Sequence, residues 1–254
     1  MENKNKIALI TGGSRGLGRD MALRIAEKGI DVIITYNSRE EDAQNVVKLV
    51  QEKGRKAAAL QLNTGDIKSF DVFFAQLKKV LTDTFNATGF DFLINNAGVG
   101  RNAPFAEVPE QMFDELMNIH FKGVYFLTQG ALALMNDGGG IINISSGHTR
   151  VTIPRYSAYG SMKAAVEAVT RYWAAELAPR GIRSNVIAPG AIATDFSGGV
   201  VRDNPEVNKF VREMTALGRT GVPEDIGGVV AFLCTDDARW ITAQRIEVSG
   251  GMRI

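Results

Sequence analysis

The chain has 254 residues, a net charge of +1, 45% hydrophobic residues and 22% charged residues, which describes a globular protein with a sizeable core and excludes a disordered one. The near-neutral charge gives no bulk attraction to nucleic acid or to an acidic membrane, the lone Cys234 excludes an intrachain disulfide and fits a reducing compartment, and two histidines with one cysteine make no zinc cluster, so no metal is expected. No apolar run reaches the ~20 residues of a membrane-spanning helix, and the stretch MENKNKIALI holds too few apolar residues for a signal peptide, so a soluble, cytoplasmic protein is expected.

Ile7–Thr11 reads as a strand. It is followed by Gly12-Gly13-Ser14-Arg15-Gly16-Leu17-Gly18 and an amphipathic helix to about Lys28. Strand, glycine turn and helix together make a phosphate site. The glycines let the backbone approach a pyrophosphate, and the helix N-terminus offers unpaired N–H groups and a favourable dipole. Gly12, Ser14, Arg15, Gly16, Leu17 and Gly18 are the candidate contacts. A second strand, Asp31–Thr35, runs into Tyr36-Asn37-Ser38-Arg39. An acid at the end of this strand bonds an adenosine ribose 2′-OH, whereas an arginine accepts a 2′-phosphate. Tyr36 stands in the acid's place, with Asn37, Ser38 and Arg39 beside it and Arg15 near, so NADP(H) is favoured over NAD(H). A solvated Arg39 is the plain alternative. Ser38 with Glu41 also fits a capping box for a helix Glu40–Lys53, which would account for Ser38 without a phosphate.

Lys56–Leu62 reads as a third strand ending at Asn63-Thr64, and Ser69–Val80 has helical periodicity. The connection Thr82–Phe90 is given no function. Phe92–Asn95 is a fourth strand and leads into Asn96-Ala97-Gly98. Val108–Leu134 is a long helical stretch. Asn118 inside it is a poor helix-interior residue, because its side chain competes for backbone bonds. His120, two residues on, points elsewhere and is read as structural. Ile141–Ile144 is an apolar run bounded by glycine, a buried strand that ends at Ser145-Ser146. The loop after it carries His148, solvated or facing a substrate. In the Ala-rich helix Ala158–Ala178, Tyr159 and Lys163 are four apart and share a face. A tyrosine of pKa about 10 exchanges protons poorly at neutral pH, and an ammonium beside it lowers that value. Alone, the pair reads equally as a packed ring and a solvated amine. Ile182–Ala188 is a strand ending at Pro189-Gly190, Pro223–Cys234 a helix and Arg245–Val248 the last strand. Strands alternate with helices and no repeat or linker intervenes, which predicts an α/β fold with a parallel sheet covered on both faces.

TGGSRGLG, NNAG at Asn95–Gly98, Ser146, YGSMK at Tyr159–Lys163 and PG at Pro189–Gly190 come in the order and at the spacing of the short-chain dehydrogenase/reductase family. The chain resembles that family over nearly its whole length. The resemblance implies a single Rossmann-type, doubly wound domain over 1–254, with a seven-stranded parallel sheet, helices on both faces and a substrate lid at Asp195–Leu217. It implies that Asn95, Ala97 and Gly98 support the sheet and line the adenosine ribose. Pro189, Gly190, Ile192 and Thr194 then lie against the nicotinamide. Asn63 and Thr64 stand where the family more often has Asp and a small apolar residue, and Asn63 offers its amide to adenine. Ser146 then bonds the substrate oxygen and Tyr159 donates the proton. Lys163 lowers the Tyr159 pKa and holds the nicotinamide ribose, and Asn118 holds a water in a proton relay. The implied activity is hydride transfer between NADPH and a small-molecule carbonyl or alcohol.

The overall likeness is to members that reduce 3-oxoacyl groups on acyl carrier protein. Arg180 is suitably placed for that acidic partner. The segment Gly130–Gly140 carries no basic residue and holds Asp137, which weakens the acyl-carrier reading. A nucleotide-sensing or scaffold protein of the same fold is the alternative; such proteins usually lose the serine, tyrosine or lysine, all present here. Ala164, Ala165 and Ala168 beside Val166, Tyr172 and Trp173 give the helix Ala158–Ala178 an apolar face suited to self-contact. The family pairs this helix with the long one before it, and makes a second interface near the last strand. A homotetramer is expected, with the tail Ser249–Ile254 at the second interface.

Overall fold

Ile7–Ile10, the first strand, is buried at every position, as a strand covered on both faces must be. In chain order the elements are β1 (Ile7–Ile10), α1 (Gly16–Glu27), β2 (Asp31–Tyr36), α2 (Glu40–Glu52), β3 (Ala57–Gln61), α3 (Phe70–Val80), β4 (Phe90–Asn95), α4 (Glu110–Met117), α5 (Gly123–Ala131), β5 (Met135–Ile144), α6 (Ser157–Glu176), β6 (Arg183–Pro189), α7 (Val200–Asp203), α8 (Pro205–Glu213), α9 (Pro223–Leu233) and β7 (Arg245–Val248). The computed structural model describes residues 5–254; residues 1–4, part of the stretch read for a signal peptide, lie outside them. No helix among the described residues is long and apolar enough to cross a membrane.

The described residues form one seven-stranded sheet in the order β3-β2-β1-β4-β5-β6-β7, and every pairing is parallel. Met21 and Ile25 of α1, Val46 and Val50 of α2, and Ile226 and Val230 of α9 fill one face. Phe73 and Leu77 of α3, Leu127 of α5, and Val166 and Trp173 of α6 fill the other. After β3 the chain returns to the opposite side of β1. The crevice at that reversal, beyond the carboxyl ends of β1 and β4, is where such sheets bind ligands.

Four local expectations change. β5 starts at Met135, not Ile141: Phe90 pairs with Met135, and the register then shifts so that Phe92 pairs with Gly140. The glycines between lack side chains to mark a strand. The stretch read as one helix over Val108–Leu134 is α4, a π-helical turn at Asn118–Lys122, and α5. The connection read from Thr82 continues α3 as a π-helical turn, Leu81–Phe85, stopped by Asn86 at φ 53. The Ser38–Glu41 capping box does not form, because the cap of α2 is Arg39, without a side-chain bond. Glu40, Glu41 and Asp42 in the first turn complement the helix dipole instead.

A buried polar row crosses the middle of the sheet. Asn95 Nδ2 donates to Asn143 Oδ1 at 2.8 Å and to Thr128 Oγ1 at 3.0 Å, and Asn143 Nδ2 donates to Thr170 Oγ1 at 2.8 Å. The row ties β4 and β5 to α5 and α6. Asn95, expected both to support the sheet and to line the ribose, belongs to this row: it is 4% exposed, its Nδ2 is engaged inside the sheet, and its Oδ1 is buried without a protein partner. Removing the Asn143 side chain strands an Asn95 N–H in a buried site. Asn143→Ala is therefore expected to lower the unfolding free energy by about 1–3 kcal/mol, seen in urea titration as a lower midpoint at unchanged slope.

Candidate active site

A cleft of about 420 Å³ lies at the carboxyl ends of the strands. The glycine turn forms one wall. Gly12 and Gly16 have φ of +65° and +52°, which suits residues without a Cβ. A Cβ on Gly18 would run into the Gly12 carbonyl and the Asn96 amide. Asn96, the second residue of NNAG, fastens β4 to this turn: its Nδ2 donates to Thr11 O at 2.9 Å and to Gly12 O at 3.1 Å. α1 opens without a side-chain cap and without an acid in its first turn. Its first N–H groups and dipole are therefore uncompensated by the chain.

Tyr36, Asn37, Ser38 and Arg39 line the end of the cleft beyond β2, with Arg15 opposite and Ser14 and Leu17 between. In this cleft Arg15 pairs with Asp195 at 3.0 Å and Arg39 with Asp42 at 3.3 Å. Both pairs lie on the exposed rim, where such contacts contribute little. Asn63 and Thr64 lie beside them, and Asn63 Oδ1 accepts from Gly65 N at 3.0 Å. Ala97 and Gly98 line the middle, and Pro189, Gly190, Ile192 and Thr194 carry the wall on from β6.

The reacting end is built where β5 stops. Ser146 Oγ accepts from His148 N at 3.3 Å and caps a short 3-10 turn. Ser145 Oγ donates to Glu167 Oε1 at 2.6 Å, holding the loop to α6. Tyr159 and Lys163 on α6 are 6% and 5% exposed. Lys163 Nζ donates to the Ile144 carbonyl at 2.7 Å and lies 5.9 Å from the Tyr159 ring centre. Burial pushes the Tyr159 phenol up to about 12, against the pull of a hydrogen bond with Ser146. Burial pulls Lys163 down to about 8. The expected lowering of the Tyr159 pKa by Lys163 is thus not found. The ammonium is engaged with a strand carbonyl, and desolvation prevails. Near neutral pH Tyr159 holds its proton and Lys163 is charged, which is the state that can give a proton away.

Two residues of the long helix lie differently from the expectation. Asn118, expected to hold a relay water, does not line the cleft; its carbonyl accepts the Gly123 N–H across the π-helical turn. His120, read as structural, lies within that turn and in the cleft wall. His120 is 0% exposed and meets the Tyr159 ring edge-on at 5.1 Å. His148 also lines the cleft, stacked on Tyr156 at 4.5 Å, and Phe196 stands 6.1 Å from Tyr159. Tyr156 carried no signal of its own, and Asn96 and Phe196 entered only as parts of NNAG and of the expected lid: their places depend on how the loops fold over the strand ends. Among the described residues no group of His, Cys, Asp or Glu suits a metal.

A family model described as Enoyl-(Acyl carrier protein) reductase matches residues 12–253. The chain belongs to the short-chain dehydrogenase/reductase family. Within this family it is 37% identical to an uncharacterized oxidoreductase of Methylorubrum extorquens over 98% of both chains. It is 38% identical to the 3-oxoacyl-[acyl-carrier-protein] reductase FabG of Staphylococcus aureus, over 97% of this chain and 98% of that one. The crystal structure of the angucycline C-6 ketoreductase LanV with bound NADP matches with a TM-score of 0.93 at 36% identity, covering 99% of this chain and 97% of the other. As a short-chain dehydrogenase/reductase, the protein is an oxidoreductase that moves a hydride between a nicotinamide cofactor and a carbonyl or alcohol.

The direction of the Lys163 shift sets a pH dependence. Its folded pKa is lowered to about 8, so the ammonium is present below that pH and lost as pH rises through it. If Lys163 resupplies the proton, carbonyl reduction measured as kcat/KM is expected to fall above about pH 8 with a one-proton slope, since that parameter reports the free enzyme. A rate flat to pH 10 would separate Lys163 from the proton supply.

Proposed function

We propose that this reductase uses NADPH to reduce a ketone, with Tyr159 as the proton donor. The observation that carries the reading is the convergence of Ser146, Tyr159 and Lys163 on the cleft at the end of β5, with the phenol neutral and the amine charged. Ser146 Oγ bonds and orients the substrate oxygen. Tyr159 gives its proton to that oxygen as negative charge develops there. Lys163, fixed by the Ile144 carbonyl, favours the phenolate that Tyr159 becomes and holds a ribose hydroxyl. The glycine cradle and uncapped α1 N-terminus suit a pyrophosphate, and no acid stands at the end of β2. Arg15, Ser38 and Arg39 there suit a 2′-phosphate. NADPH, when bound, supplies the hydride.

Substrate choice rests on the walls. Tyr156, His148 and Phe196 offer flat apolar surface next to Tyr159, which suits a ketone carrying a ring or an apolar chain. The structure of LanV with bound NADP supports a ketoreductase reading, and the likeness to FabG keeps 3-oxoacyl groups within the class. Docking of an acyl carrier protein has less support. Arg180, its candidate contact, donates to Asp137 at 2.7 Å and to the Leu132 carbonyl at 2.9 Å, so its charge is already engaged. Phe196, Ser197, Val200 and Val201 border the cleft, and the segment from Asp195 to Leu217 acts as a lid on the domain spanning 1–254. The buried, unpaired Cys234 suits a reducing compartment such as the cytoplasm.

A homotetramer completes the proposal. Val166 and Trp173, read as part of the self-contact, face the core. Tyr172, Phe113, Phe126 and Tyr125 of α4–α6 remain exposed, and an apolar face of this kind favours an isologous contact. Exposed Leu217 and Ile254 support a second contact by the tail. Light scattering at micromolar concentration is expected to give four times the chain mass; an active monomer would reject both contacts.

Two variants test the chemistry. Tyr159→Phe keeps the ring and removes the proton. Turnover is expected to fall by roughly 10²–10⁴-fold, with cofactor affinity and melting temperature little changed. Arg15→Ala with Arg39→Ala is expected to weaken NADPH binding by about 2–4 kcal/mol, given that charged hydrogen bonds are strong but not fully additive. NADH binding should stay as it was. Equal calorimetric affinities of the wild type for NADH and NADPH would overturn the assignment.

A further inference from the structure

α6 carries Tyr159, Lys163 and Glu167 at four-residue intervals, so the three lie along one side of the helix. Together they meet three consecutive residues where β5 ends. Lys163 Nζ donates to the Ile144 carbonyl at 2.7 Å. Tyr159 shares a hydrogen bond with Ser146. Glu167 takes the residue between: its Oε1 accepts from Ser145 Oγ at 2.6 Å. Proton donation and substrate binding give the first two contacts a use and leave the third without one. Glu167 is not among the residues that line the cleft, so any part it plays in the reaction is exerted through its neighbours.

Those neighbours bracket the reacting serine. Besides Ser145, Thr149 Oγ1 lies 2.7 Å and Arg245 Nε 2.9 Å from the same Oε1. Hydroxyl contacts this short have the length of charge-assisted bonds, which are roughly twice as strong as neutral ones. Thr149 Oγ1 also stands 2.9 Å from the Ser146 carbonyl. With one proton to give, it is shared between that carbonyl and Oε1. Glu167 thus holds the chain before Ser146 by a side chain and after it by a hydroxyl that touches the Ser146 backbone. The anchor itself is firm: the side chains of Glu167 and Arg245 are 13% and 25% exposed, and a charge so placed is costly to leave without its partner. Ser146 has less of its own to hold it. Its Oγ accepts from His148 N at 3.3 Å, longer than a usual N–H bond, so the backbone that carries the hydroxyl sets where it points.

We propose that Glu167 is a positioning residue for Ser146, fixing through Ser145 and Thr149 the backbone from which the Ser146 hydroxyl meets the substrate oxygen. This rests on the carbonyl reduction proposed above. Glu167 forms and breaks no covalent bond. Its contribution is to keep one hydroxyl in line with the oxygen that receives the Tyr159 proton. Arg245 fastens the carboxylate to β7, and Glu247 on the same strand accepts from Arg150 at 2.9 Å, which ties down the far end of the serine loop.

Two measurements test this, and the first needs no activity. Amide hydrogen exchange in the loop 145–151 is expected to quicken by about tenfold or more in Glu167→Gln, as for a segment whose local stability has dropped. The glycine loop 12–18 should exchange as in the wild type. A serine loop that exchanges no faster would overturn the proposal whatever the enzyme turns over. The second measurement is a double-mutant cycle with NADPH and α-tetralone or an acetoacetyl thioester as probe ketone. Glu167→Gln is expected to lose kcat by about 10–100-fold, the scale on which misplacing a reacting group acts, while KM for NADPH stays near wild type. Ser145→Ala, which removes one hydroxyl from a buried site and is the safer variant for folding, should move kcat in the same direction by a smaller factor. In a Ser146→Ala background, Glu167→Gln should cost less than about twofold more, because residues that act as a unit are not additive. A full further loss in that background would mark a merely structural role and overturn the proposal, as would wild-type kcat in a folded Glu167→Gln. A wild type that reduces no carbonyl would instead remove the reading beneath it, while hydrogen exchange still decides whether Glu167 holds the serine loop.

Discussion

A buried ammonium bonded to a strand end sets the terms for this site. Lys163 is 5% exposed and donates to the Ile144 carbonyl at 2.7 Å. Burying a charge with a single neutral partner is unfavourable, and the lowered pKa of about 8 is the sign of it. That contact ties α6 to the end of β5. Tyr159, one turn earlier on the same face, then meets Ser146 at the end of the strand. The surroundings are stiff enough to hold this arrangement. The Asn95–Asn143–Thr170 row locks β4 and β5 to α6 from within the sheet. On the other side Glu167 accepts from Ser145 at 2.6 Å, Thr149 at 2.7 Å and Arg245 at 2.9 Å, tying the serine loop to β7.

The sheet order puts a second half of the site within reach of the first. Because the chain crosses from β3 to the far side of β1, the glycine turn after β1 and the serine loop after β5 open onto one cleft. One end offers uncompensated N–H groups and two guanidinium groups. The other offers a neutral phenol, a hydroxyl and an ammonium. A phosphate-bearing cofactor and a carbonyl substrate call for different physics, and the cleft offers charged groups at one end and aromatic walls at the other.

Most of this was legible in the sequence because its signals are local. Buried parallel strands read as apolar runs, and a glycine that must take positive φ, such as Gly12, announces a turn. The four-residue spacing of Tyr159 and Lys163 on a helix is geometry in itself. What escaped depended on breaks in regularity or on long-range docking. The π-helical turn at Asn118–Lys122 breaks the helix, and His120 rather than Asn118 lines the cleft; no period count foresees such a turn. The Ser38–Glu41 pattern fits a cap by spacing, yet α2 begins at Glu40 with Arg39 as its cap, and Ser38 lies at the cleft. Asn95 ends β4 and Asn96 follows it; the pattern alone did not say which of the two faces the cleft. The Tyr159 pKa follows total burial, which spacing cannot supply.

The most direct test of the account follows the hydride and the proton separately. NADPH deuterated at its transferring position would be mixed with a ketone in ordinary water, and the product alcohol examined by mass spectrometry and NMR. The account predicts one deuterium on the carbinol carbon and none lost to solvent, with a hydroxyl proton drawn from water, and no such product from Tyr159→Phe on the same timescale. Deuterium missing from the carbinol carbon, or equal label from the Tyr159→Phe enzyme, would contradict it.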